Sequence, residues 1–389
     1  MRDFADIRPY NDAEVPAVLK RLLADREFLD AISSLKFKHL ARWLRWPLRL
    51  LVRAVLRREL ASVTDVKSLQ AVVARYMTGM IEETTAGFTV SGLDKLPPGQ
   101  AYLLMSNHRD IVLDPAFTNY ALFHNGQDTA RIAIGDNLLT TPYVSDLMRL
   151  NKSFIVKRSA RAPRQRLKVF QDLSAYICQS IQQEGVYIWI AQREGRAKDG
   201  IDRTEPAVIK MLSMSRNKQQ ESFADYIQAL HIVPVSISYE LDPCDSLKAA
   251  ELQARAELGA YEKGEDEDVA SIATGIAGSK GQVHVAFGTP LGAGYGTPEQ
   301  VAAEVDRQVI ENYHLHATNL SAYQALHGAP AQLPETARVI PGGCSEAEFQ
   351  QRIEAMPAAQ RDYALGIYAN AISSKLQLNA AGESTASAD

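Results

Sequence analysis

The chain has 389 residues, 46% apolar and 23% charged, which suffices for one large domain with added helices or for two ordinary ones and argues against disorder or a fibrous architecture. A formal net charge of -4 argues against general nucleic-acid binding. The three cysteines Cys178, Cys244 and Cys344 lack CxxC spacing, which argues against a disulfide framework or a zinc site and for a reducing compartment. The first residues, MRDFADIRPYNDAEV, are acidic and lack the apolar run of a secretory signal, so the chain is expected to start as mature protein. Charges interrupt every candidate membrane span, and any membrane contact is expected to be peripheral.

In chain order, apolar residues recur at helical spacing from Asp12 to Glu83, interrupted at Pro47. The pattern then changes. Phe88–Val90 and Tyr102–Met105 read as strands around a Pro/Gly turn, and short apolar runs follow at Arg131–Ile134, Ser153–Val156, Val186–Ile190, His231–Ile237 and Val283–Phe287. Helical patterns such as Arg164–Gln183 lie between some of them. Strands alternating with helices predict an α/β domain. GAPAQLPETARVIPGGCS reads as a long loop before a last helical stretch over Glu346–Gln377, and the small, polar tail as disordered. The expected division is an N-terminal helical, membrane-associating region (1–85), an α/β domain (86–323), a loop and C-terminal helical extension (324–376) and a tail (377–389).

Four stretches carry the chemistry. SNHRDIVLDP follows an apolar strand directly, placing His108 where a strand leaves a sheet. A histidine beside a carboxylate can act as a general base, because the carboxylate fixes the tautomer and stabilises the imidazolium. Asp114 and Asp110 are both candidates for that carboxylate; the bland alternative is a helix-capping Asn107 beside a surface histidine. KSFIVKRS opens a basic run of Lys152, Lys157, Arg158, Arg161, Arg164, Arg166 and Lys168, suited to an anionic ligand or simply a solvated helix face. VYIWIAQREGRAKDG leads a strand into a charged turn where Gly195 permits close backbone approach, Arg196 and Lys198 offer charged donors, and Glu194 could accept from a hydroxyl. HIVPVSISYE is a buried-strand pattern broken by Pro234, which a central ladder would not ordinarily hold.

Taken in order, these blocks resemble the glycerol-3-phosphate and 1-acylglycerol-3-phosphate acyltransferase superfamily, over about Phe88–Tyr323. SNHRDIVLDP is similar to its His-x4-Asp block, with Asp114 one position further from His108 than usual and Asp110 where a serine is common. The third block departs at Arg193, where the family has proline, and at Arg196, which follows Gly195 directly. YE, RAELGAYEKGEDE and GQVHVAFGTPL look closer to the glycerol-3-phosphate acyltransferase branch. The resemblance implies a mixed sheet flanked by helices, a glycerol-phosphate acyltransferase-like α/β domain behind an N-terminal helical region. It also implies an O-acyltransferase of phospholipid biosynthesis. His108 would be the base and Asp114 its orienting partner, with Asp110 as the alternative. Arg158, Glu194, Gly195, Arg196 and Lys198 would bind a phosphate-bearing acyl acceptor. The donor would be acyl-CoA or acyl carrier protein, the acceptor glycerol 3-phosphate or a lysophospholipid; neither choice is made by the sequence. No metal or cofactor is expected.

G-x-S-x-G, Walker A and H-E-x-x-H motifs do not occur in the sequence. Between Lys36 and Arg58 there are eight Lys or Arg residues and no acid. Arg42, Arg45, Arg49, Arg53 and Arg57 recur at helical spacing, opposite Leu44, Leu48, Leu51 and Val55, with Trp43 and Trp46 nearby. This predicts docking on an anionic membrane surface from the cytoplasmic side; the competing expectation is a helix packing its leucines on the body of the protein. A noncatalytic lipid-binding or scaffold protein retaining the fold is the alternative function, motivated by the irregular spacing of the first and third blocks.

Overall fold

The computed structural model describes residues 4–37, 44–159, 162–264 and 267–386. Its centre is a seven-stranded sheet in the order β1-β7-β6-β2-β5-β3-β4. The strands are β1 (Thr85–Ser91), β2 (Leu103–Ser106), β3 (Arg131–Gly135), β4 (Ser153–Val156), β5 (Ile188–Ala191), β6 (Ile232–Tyr239) and β7 (Gly281–Phe287). β2 runs parallel to both β5 and β6, whereas β6 and β7 are antiparallel, so the sheet is mixed, as expected. Side chains of β2 and β6 are buried along their whole length, which is why these segments read as continuous apolar runs rather than alternating ones. Pro234 is tolerated in β6 because the ladder with β7 begins only at Val235, opposite Phe287, while the proline carbonyl still accepts from the Gly288 N–H at 2.8 Å.

Helices flank the sheet: α1 (Val15–Leu22), α2 (Arg26–Lys36), α3 (Arg45–Glu59) and α4 (Val66–Thr84) precede it. Between the strands come α5 (Leu113–His124), α6 (Pro142–Leu150), α7 (Pro163–Gln182), α8 (Pro206–Leu212), α9 (Phe223–Gln228), α10 (Asp245–Leu258) and α11 (Glu267–Ala277). After β7 follow α12 (Pro298–Asn312), β8 (Leu315–His316), α13 (Ala317–His327), β9 (Val339–Ile340), α14 (Glu346–Glu354) and α15 (Ala358–Ala386). The N-terminal helices have a core of their own, in which Val15, Val18, Leu22, Phe28, Val52 and Val72 meet Leu150 of α6. Polar ties fix this layer to α6: Arg21 makes a bidentate pair with Asp146 at 2.6 and 2.7 Å, and the Tyr10 hydroxyl donates to the same carboxylate. The Ile155 N–H donates to the Ile7 carbonyl at 3.0 Å, so residues before α1 cover β4, which is last in the strand order.

α3 divides the expected amphipathic stripe differently. Leu48 and Val52 are buried, each burial contributing about 1.5–3 kcal/mol, while Leu51 is 51% exposed together with Leu44, Trp46, Leu50 and Val55. Arg49 is paired with Asp30 of α2. Packing therefore claims one face of the helix and leaves the other exposed. Trp43, Arg42 and Lys38 lie outside the described residues. The basic run after β3 is likewise dispersed: Lys152 precedes β4 and gives its amine to Thr129, at the opposite end of the strand from Arg158, and Lys157 pairs with Asp6. Arg164, Arg166 and Lys168 are exposed on the first turns of α7; Arg161 lies outside the described residues.

The C-terminal region departs from expectation in three places. Within the long loop, Val339 and Ile340 form a short parallel ladder with Leu315 and His316, which precede α13. The final helical stretch breaks at Pro357, which lacks the N–H needed to continue α14 and starts α15 instead. The tail expected to be disordered from residue 377 is helical to Ala386, because α15 is anchored upstream by Tyr368, Ile372 and Lys375 and simply propagates through Leu376, Leu378, Ala380 and Ala381.

Candidate active site

The candidate residues collect at the carboxyl ends of β2, β3, β4 and β5, the edge where parallel α/β sheets leave a crevice. β2 ends at Ser106, and the chain is held in register for two more residues. The Asn107 side chain bonds both the N–H and the carbonyl of Ile237 at 2.8 and 3.0 Å, extending the pairing with β6. Asn107 is therefore no helix cap. His108 emerges next, its ring edge-on to Trp189 at 5.7 Å between centroids. Its Nδ1 lies 2.8 Å from Asp114 Oδ2, and its Nε2 makes no hydrogen bond among the described residues.

Asp114 sits in the first turn of α5 and is wholly buried. Its Oδ2 also accepts from the N–H groups of Arg109 and Asp110 at 2.6 and 2.9 Å, so the tight turn between them absorbs the extra residue in the spacing. Asp110 does not meet the histidine. Its Oδ1 accepts from the N–H groups of Val112 and Leu113, both at 2.9 Å, capping the start of α5. Burial, with the negative charge of Asp114 adding to it, raises the Asp110 pKa. Gly275 of α11 lies so close to its carboxylate that a Cβ there would collide with it.

The other blocks converge on this turn. The Ala197 N–H donates to the His108 carbonyl at 2.7 Å, tying the loop after β5 to the loop after β2. In that loop Gly195 has φ +76, a left-handed turn that suits glycine. Arg158 follows β4 on a loop pinned by Asp136, and its guanidinium reaches Glu194 at 3.3 Å. Arg158 and Glu194 are thus neighbours, and the glutamate is engaged by an arginine rather than standing open. Lys198 is paired with Glu251 of α10, a buried carboxylate that also meets Arg255 at 2.7 Å. Burial lowers the Lys198 pKa against the pull of that glutamate. Arg196 hydrogen-bonds only to the Ser271 hydroxyl, at a long 3.4 Å, among the described residues, so of the three cations it is the one without a carboxylate partner there.

Several structural partners had no signal as site residues. Arg109 is buried and paired with Asp202 at 2.7 Å, and Asp202 also accepts from Asn107 at 3.0 Å. Tyr239, at the end of β6, donates its hydroxyl to Asp114 Oδ1 at 2.8 Å. Alternation along β6 puts Tyr239 on the face of Val235 and Ile237, but nothing local tells which strand lies alongside. From further away, α15 supports the loop after β5: Asn370 donates to the Asp199 carbonyl at 2.8 Å, and Ile367 crowds Gly200.

A family model described as Acyltransferase matches residues 87–238, the stretch that supplies β1 to β6 and the turn of His108. Over residues 87–238 the chain is thus similar to the acyltransferase family. The matched segment contains Asp110, Asp114, Arg158, Glu194, Gly195, Arg196 and Lys198, whereas Glu251, Ser271 and α15 lie beyond it. Among solved structures, the chain is similar to the 1-acyl-sn-glycerophosphate (LPA) acyltransferase PlsC from Thermotoga maritima. That likeness has a TM-score of 0.37 and 15% identity, covering 73% of this chain and 95% of that one. No curated protein matches the chain. Among the described residues, no helix is long and apolar enough to cross a membrane.

Proposed function

We propose that this acyltransferase moves a fatty acyl group from an acyl thioester to a hydroxyl of glycerol 3-phosphate or a lysophospholipid. The observation that carries the reading is the His108–Asp114 contact of 2.8 Å beside an open Nε2, within a segment of the acyltransferase family. Nε2 takes the proton of the acceptor hydroxyl while the oxygen attacks the thioester carbonyl. The tetrahedral intermediate then collapses, the thiolate leaves, and the imidazolium returns its proton to the sulfur. Asp114 holds the ring with Nδ1 protonated and offsets the charge it acquires. Arg158 and Arg196 hold the acceptor phosphate, with Lys198 as an additional candidate, Gly195 shapes the loop, and Glu194 gives up Arg158 to the phosphate and faces the acceptor. Fixing the phosphate while the base addresses the hydroxyl makes a bimolecular transfer effectively unimolecular. The donor is acyl-CoA or acyl carrier protein, a substrate in either case, and no cofactor or metal enters the scheme.

The exposed Leu44 just before α3 and Trp46, Leu50, Leu51 and Val55 within it, flanked by Arg45, Arg57 and Arg58, support docking on an anionic membrane surface from the cytoplasmic side, where the lipid acceptor or product resides. Radiolabelled transfer to an acceptor panel with both donors, read by product mass, tests the whole reading. Product on glycerol 3-phosphate or a lysophospholipid supports it. No product above a no-enzyme control, with liposome binding retained, favours a noncatalytic scaffold.

A further inference from the structure

The Asp114 carboxylate collects four donors among the described residues, and they are unequally divided. Oδ2 accepts from the His108 ring and from the N–H groups of Arg109 and Asp110, whereas the Tyr239 hydroxyl alone serves Oδ1, at 2.8 Å. A wholly buried carboxylate oxygen left without a donor is costly, because no water replaces the missing bond. The phenol is delivered by a second element. Tyr239 ends β6, and its ring stands edge-on to Phe117, one turn along α5 from Asp114, at 5.9 Å between centroids. Strand and helix are thereby joined through the carboxylate that touches His108.

We infer that Tyr239 is a positioning residue for acyl transfer: its hydroxyl locks the Asp114 carboxylate in the orientation that serves His108 and draws part of the negative charge away from Oδ2. This rests on the proposal that His108 is the base. Burial, followed by the charge of Asp114, pushes the Tyr239 pKa well above its usual range, so the phenol remains a donor throughout the working pH range. The other charged groups around the pair are Asp110 in the same turn, Asp242 after β6, Lys248 on α10 and Lys280 leading into β7, while Arg109 is neutralised by Asp202. Tyr239→Phe alters none of them. Without the hydroxyl, the undivided charge of Asp114 binds the imidazolium more tightly, and His108 keeps its proton to higher pH.

The test uses the full chain, with Phe117→Leu as a control that disturbs the ring contact but keeps the hydroxyl. For Tyr239→Phe we expect kcat to fall roughly 10-fold with the acceptor KM within about twofold. The acid limb of kcat/KM and the NMR titration midpoint of the His108 ring should both rise by roughly 0.5–1 unit. Phe117→Leu should lower Tm and move neither midpoint. A Tyr239→Phe enzyme with wild-type midpoints and turnover, or a Phe117→Leu enzyme with the same midpoint shift, overturns the inference. 3-Fluorotyrosine at the same position keeps the shape, makes a stronger donor and should move the midpoint down, so the test does not depend on Tyr239→Phe folding; an unchanged or raised midpoint there overturns it too. The ring titration is read whether or not the wild type transfers an acyl group, which separates failure of this inference from failure of the proposed reaction.

Discussion

His108 sits between a buried carboxylate and the open edge of the sheet, with one ring nitrogen held and the other available. Under the proposed mechanism, His108→Ala should lower turnover by about 100-fold to 10,000-fold with little change in Tm, measured by single-turnover transfer alongside a melting curve. Asp114→Asn should damage turnover more than Asp110→Asn, because Asp114 meets the ring whereas Asp110 caps α5 with an oxygen that asparagine also supplies. The reverse ranking in steady-state rates would reassign the pair. Arg158→Ala and Arg196→Ala should each raise the acceptor KM more than the donor KM, which kinetics with each substrate varied will read. Arg196 should matter more of the two, since Arg158 already has Glu194 at 3.3 Å and gains less from a phosphate.

At the scale of an element, α3 separates packing from docking within four turns. Leu48 and Val52 face the N-terminal layer, while Trp46 is 70% exposed and Leu50 49% exposed. Trp46→Ser with Leu50→Ser should therefore weaken flotation with anionic liposomes and leave Tm near wild type. Leu48→Ala should instead cost about 2–5 kcal/mol of stability in the absence of lipid, read as a lower Tm. Arginine replacements need the same division. Arg49→Gln breaks the pair with Asp30 and tests packing, whereas Arg57→Gln and Arg58→Gln remove exposed charge and should make flotation less sensitive to salt. Unchanged flotation of the Trp46/Leu50 variant would leave α3 a structural helix only.

Across the whole molecule, three histidines from two distant segments of the chain meet at one site. His284 of β7 lies between the hydroxyls of Thr89 and Ser91 at 2.7 and 2.9 Å, and the His314 ring stacks on it at 3.7 Å between centroids. His316 is fully buried, and neither ring nitrogen has a hydrogen-bond partner among the described residues. Burial above all, with repulsion among the rings and from Arg338, lowers their pKa values to about 3 for His284, about 4 for His314 and about 3 for His316. Unfolded imidazoles take a proton near pH 6.5, so between there and pH 4 the unfolded chain binds more protons than the folded one. The sites favour folding fully above that window, and stability falls as pH drops through it. Melting curves from pH 7 to pH 5 should show Tm declining, and His316→Leu, which removes a titrating group while filling its space, should flatten the decline. An equally steep decline in that variant would exclude the cluster as its cause.

The sequence by itself determined the central strands and the place of His108 at the end of one of them. Burial on both faces wrote β2 and β6 as continuous apolar runs, a strand ending at Ser106 put His108 at a sheet edge, and the order of four blocks pointed to acyl transfer. These are local properties, carried by residues a few positions apart. The partners across the fold were decided only in three dimensions: Tyr239 reaching Asp114, Glu251 claiming Lys198, Asp202 neutralising Arg109, and Asn370 holding the loop at Asp199. Each joins segments whose separation along the chain leaves no periodic trace, and each depends on strand order, which sets neighbours independently of sequence distance. The two faces of α3 follow the same rule. A helical wheel marks which residues share a side, but only docking of the helix on α2 and its neighbours decides which side is covered.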